Sequence, residues 1–189
     1  MLQTRPSAAT SWLIAALCAL SIGLFGAAAL AARAAAAPRV PSSPAAHTGS
    51  YTTIALLRYD VSRIPGYRAR RPARWVISTR YRGTWGVTDW YHNTIYISPS
   101  VPSAYLPSVV RHEWSHEVSV RTYGGDVAAA VRAMNRMFGG PGSTGIRGAE
   151  YAADCMAIQL GATWTHYTTC PLRMWRRAAA QLLAGHRIS

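Results

Sequence analysis

The residues best suited to chemistry lie in one short segment, His112-Glu113-Trp114-Ser115-His116. Helical residues four apart share one side and lie about 6 Å from each other, so both imidazoles can reach a single metal ion. Glu113 shares that side. It is too close to replace a histidine but well placed to take a proton from water on the ion. Two histidines do not make a catalytic metal site, which needs a third protein ligand and an open position. A third histidine in the spacing His-Glu-x-x-His-x-x-Gly-x-x-His is excluded, because Ser119 and Thr122 occupy those places. Asp126 is the next acid beyond Glu117, but it stands where a helix cap is wanted. Glu150 is the better ligand, since it falls on a later helical segment that can cross the first. Asp154, one turn on, can accept the N–H of a metal-bound histidine and so fix its tautomer. The chain has only seven acids, and Glu113, Glu117, Glu150 and Asp154 are four of them. Two carboxylates four apart repel on an ordinary surface helix, which favours a site over a solvated face.

The elements that must position these groups follow from the surrounding pattern. Pro107 suits a first helical turn and Gly124-Gly125 a stop, and between them Val109, His112, Glu113, His116 and Val120 share a face. Asp126 caps a second helix in which Val127, Val131, Met134 and Phe138 recur at helical spacing. A glycine-rich connector at 139–145 has no phosphate-binding pattern. Helices are expected at about 146–162 and 171–185. Upstream, segments 51–59, 74–80, 85–90 and 94–98 are rich in β-branched and aromatic residues and predict strands. The aromatic block of Trp85, Trp90, Tyr91 and Tyr96 suits sheet packing. The expected class is α+β, a small and mostly antiparallel sheet followed by a helical half that carries the metal site.

The first residues carry Arg5 and no acid, an uncharged apolar run extends from Trp12 to Ala32, and Ala-x-Ala exits follow before Pro38. This is the pattern of a secretory signal over residues 1–37, with an uncleaved membrane anchor as the alternative reading of so long a run. A Pro/Ser/Ala-rich linker is expected at 38–50, and one domain at 51–189. Once the signal is removed, Cys155 and Cys170 are the remaining cysteines, and in an exported chain they predict one disulfide. The formal charge is +13 and every basic side chain is arginine. Scattered arginines on an exported protein argue against a nucleic-acid partner and suit attraction to anionic envelope surfaces.

His112-Glu113-x-x-His116 followed by Glu150-x-x-x-Asp154 resembles the gluzincin class of zinc metallopeptidases. The stretch from Glu150 to Cys155 also resembles the second motif of small exported bacterial neutral zinc metallopeptidases. The likeness covers about residues 94–170 and implies a zincin-like fold. It implies Zn2+ held by His112, His116 and Glu150, a peptide or protein substrate, and a substrate-pairing strand upstream of the active helix, here 94–98. The implied mechanism has zinc lowering the pKa of its water toward about 7, while Glu113 takes the proton and returns it to the leaving amine. A second donor for the oxyanion is expected from His166, Tyr167 or Tyr151. His166 ranks first, on a loop the disulfide would hold. The alternative is a catalytically inactive protein on the same scaffold, binding anionic cell-envelope components.

Overall fold

The computed structural model describes residues 52–140 and 142–189. The expected signal segment 1–37 and linker 38–50 lie outside the described residues. Among these residues no helix is long and apolar enough to cross a membrane. The described residues form an α+β architecture, with five helices and one three-stranded mixed sheet.

The order begins with helix α1 (Ile54–Ser62), then a 3-10 turn at Tyr67–Ala69. Three four-residue strands follow: β1 (Arg74–Ile77), β2 (Gly86–Asp89) and β3 (Thr94–Ile97). Four helices complete the chain: α2 (Leu106–Thr122), α3 (Val127–Phe138), α4 (Arg147–Gln159) and α5 (Arg173–Leu183). Two expectations are corrected here. The described part of the expected strand 51–59, residues 52–59, does not form one; Thr53 caps α1 by accepting the Leu56 N–H, and Leu57 and Val61, four apart, are buried. The sheet is not mostly antiparallel, because β3 pairs with β1 in parallel and with β2 antiparallel.

The strand order is β1-β3-β2, so β3 is central and β2 is an edge. Asn93, at φ 49°, makes the turn that folds β3 back along β2. With both of its edges used, β3 cannot take up a further strand. The substrate-pairing role expected of 94–98 therefore fails on topology, and β2 is the strand beside α2 that has an edge to offer.

Helix α2 is the centre of the fold. Trp114, Val110, Val118 and Leu106 are fully or almost fully buried, with α1, α3, α4, α5 and the sheet packed round them. Pro107 opens the helix, and Gly124, at φ 72°, turns the chain out of it. Small side chains let α4 come close: Ser119 on α2 meets a helix whose Ala149, Ala152, Ala153 and Ala157 are buried. The Ser119 hydroxyl reaches the Met156 sulfur at 3.3 Å. The tilt of α4 is set from α3. Asn135 accepts the Gly148 N–H at 2.8 Å and donates to the Gly145 carbonyl at 2.8 Å. Gly148 is obligatory, since a Cβ there would lie 2.5 Å from the Met134 carbonyl and from the Asn135 Cα.

Candidate metal centre

His112 and His116 project from the middle of α2, and Glu150 from the first turn of α4. They converge. The two histidine Nε2 atoms are 3.1 Å apart, and Glu150 Oε2 lies 3.1 Å from that of His112 and 3.3 Å from that of His116. In a tetrahedral zinc site with bonds of 2.0–2.1 Å, adjacent donors are separated by about 3.3 Å. The observed triangle is of that size, and its corners are two imidazole nitrogens and one carboxylate oxygen, a donor set suited to a divalent ion. These three residues can hold a metal ion.

Asp154 locks the triangle in place. It is 1% exposed. Its Oδ1 lies 2.8 Å from His112 Nδ1, while Oδ2 accepts the backbone N–H groups of Tyr167 and Thr168 at 2.6 and 2.8 Å. A carboxylate accepts only, so His112 Nδ1 must carry a proton, and Nε2 is the nitrogen that faces the cluster. Among the described residues His116 Nδ1 is buried without a partner, so the tautomer of the second histidine is not fixed in this way.

The electrostatics follow from the crowding. Burial opposes a charge on His112, but the hydrogen bonds to Asp154 and Glu150 and the nearby Glu113 outweigh it, and its pKa is pushed up to about 10. Burial acts on Glu150 in the opposite sense, yet the two histidines hold its carboxyl far below the usual carboxylate range. Tyr167 is pushed up to about 12, by burial first and then by the charges of Glu150, Glu113 and Asp154 and a hydrogen bond with Glu150. Its phenol therefore keeps its proton at neutral pH and remains a donor.

The cluster forms one wall of a cavity of about 720 Å³. Glu113 lines it, 6% exposed, with its carboxylate against β2. Thr88 Oγ1 lies 2.8 Å from Glu113 Oε2, and a Cβ at Gly86 would fall 2.4 Å from Glu113 Oε1. Trp85 and Trp164 line the cavity with ring centroids 5.2 Å apart, and Trp90 stands 6.0 Å from the His116 ring.

The loop after α4 supplies His166 and Tyr167. Both line the cavity. His166 is exposed and packs between Trp164 and Tyr167. Tyr167 stacks on His112, centroids 5.8 Å apart at 27°. Tyr151 points away, toward Trp175. The Cys155–Cys170 disulfide is formed and closes the base of this loop, beginning one residue after Asp154. Asp126 is a cap, accepting the Ala129 N–H at 2.9 Å, and Glu117 is buried and paired with Arg121 at 2.7 Å. Thr88 and Gly86 have no counterpart in the sequence reading. The only signal they carry is two positions of the same parity on a strand, which place them on one face.

Compared with protein-family models, with curated proteins and with solved structures, the chain matches none of them.

Proposed function

We propose that this chain is an exported zinc-dependent peptidase with a zincin-like, gluzincin-type site. The observation that carries the reading is the meeting of His112, His116 and Glu150 on one triangle in the cavity that Glu113 also lines. When bound, zinc supplies Lewis acidity toward a carbonyl oxygen and lowers the pKa of a coordinated water toward about 7. Everything else is done by the chain's own residues. Glu113, buried and gripped by β2, takes the proton of the attacking water and delivers it to the leaving amine. Tyr167 has a protonated phenol beside Glu150 and is a donor to the developing oxyanion; His166, on the same loop, is the neighbouring candidate. The edge of β2 offers backbone groups to an extended peptide, and the tryptophan walls receive its apolar side chains. The disulfide supports placement outside the cytoplasm.

The test is Glu113→Gln against a labelled protein such as casein. It should keep its zinc and lose turnover by a factor on the order of 10² or more. Cleavage at the parent's rate sinks the assignment of the base. A second reading is a non-catalytic scaffold that holds anionic envelope components. It draws on the surface charge: among the described residues Arg121 is the arginine in an ion pair with an acid. That reading requires salt-sensitive binding to anionic polymers and no hydrolysis.

A further inference from the structure

The contact between β2 and the active helix is more specific than packing needs. Thr88 Oγ1 lies 2.8 Å from Glu113 Oε2 and 2.9 Å from the Glu113 backbone carbonyl, two acceptors of the same residue. A hydroxyl has one proton and two lone pairs, so it cannot donate to both at once. While Glu113 is a carboxylate, the charge-assisted bond to Oε2 is the stronger use of that proton. Gly86, two residues earlier on the same strand face, leaves the space that Oε1 fills, so the carboxylate is bounded on both oxygens by one strand.

We propose that Thr88 is a positioning residue for Glu113, its hydroxyl holding the carboxylate in one orientation against β2. The inference rests on Glu113 acting as the base. A purely structural threonine would need only the bond to the backbone carbonyl.

The experiment compares the zinc-loaded parent with Thr88→Val and Thr88→Ser on labelled casein, with a crystal structure of each. Thr88→Val should lose about tenfold in kcat with KM and zinc stoichiometry unchanged. Thr88→Ser should stay within about twofold of the parent, since it keeps the hydroxyl. In the Glu113→Gln background Thr88→Val should cause no further loss. In the crystals the Glu113 carboxylate should leave its single orientation in Thr88→Val and retain it in Thr88→Ser. Parent-like kcat in Thr88→Val, or an unmoved carboxylate there, overturns the proposal. Should the parent cleave nothing, the peptidase reading fails by itself and the crystallographic comparison still decides the role of Thr88. If Thr88→Val does not fold, Thr88→Ala carries the same comparison.

Discussion

Asp154→Asn is the substitution whose consequence can be worked most closely from the geometry. The carboxylate makes three hydrogen bonds, all as acceptor: one to His112 Nδ1 and two to backbone N–H groups of the following loop. The introduced amide has one oxygen and one NH2. If the oxygen keeps the two backbone donors, the NH2 faces His112 Nδ1. That nitrogen must then accept, and the ring proton moves to Nε2, the atom needed for the metal. If the amide is reversed, His112 keeps its tautomer but two backbone N–H groups face a donor, at about 1–3 kcal/mol each. Both outcomes weaken the site. Loss of such a partner typically costs 10–100-fold in metal affinity, which is about 1.4–2.8 kcal/mol. The assay is zinc affinity by competition with a chromophoric chelator, with the fold monitored by circular dichroism. An Asp154→Asn protein that is folded and binds zinc as tightly as the parent refutes the tautomer argument.

Zinc binding should release about one proton at pH 7, because His112, at about 10, keeps its Nε2 proton in the metal-free protein until the ion displaces it. Calorimetry in buffers of different ionisation enthalpy measures this, and affinity should rise with pH until the folded-state pKa is passed. In the metal-free protein the same raised pKa gives stability that is fully present below the unfolded value of 6.5 and is lost as pH climbs through about 10; thermal melts against pH follow it. Gly86→Ala should keep zinc but lose turnover, since its Cβ would displace the Glu113 carboxylate; a rate equal to the parent's contradicts the close packing of β2 on the base. Replacing Cys155 and Cys170 by serine opens a loop spanning 15 positions and should cost about 3 kcal/mol, or roughly 10 °C in Tm, with weaker zinc binding because the loop also holds Asp154.

Much of the site could be read without coordinates because its parts are local. Two histidines four apart on a helix bounded by Pro107 and Gly124 leave little freedom, and the i, i+4 relation of Glu150 and Asp154 is equally local. The crossing of α2 and α4 was foreshadowed only by chemistry, the need for a third ligand. Its physical basis is a run of alanines and serines that does not announce itself as an interface. The failures share a different cause. The residues of α1 include an Ile, two Leu and a Val that suit a strand equally well, and it is the Thr53 cap and the burial of Leu57 and Val61 that decide for a helix. Strand order depends on pairing between distant segments, so the central place of β3 left no local mark. Thr88 and Gly86 are ordinary strand residues until α2 is laid against them, and their bearing on Glu113 exists only in three dimensions.

The convergence of His112, His116 and Glu150 is tested most directly by anomalous diffraction at the zinc edge, from crystals grown with stoichiometric zinc. One peak should appear, bonded to both Nε2 atoms and to the Glu150 carboxylate at about 2.0–2.2 Å. Zinc bound elsewhere on the chain, with the three side chains left as they stand, would contradict the account at its root.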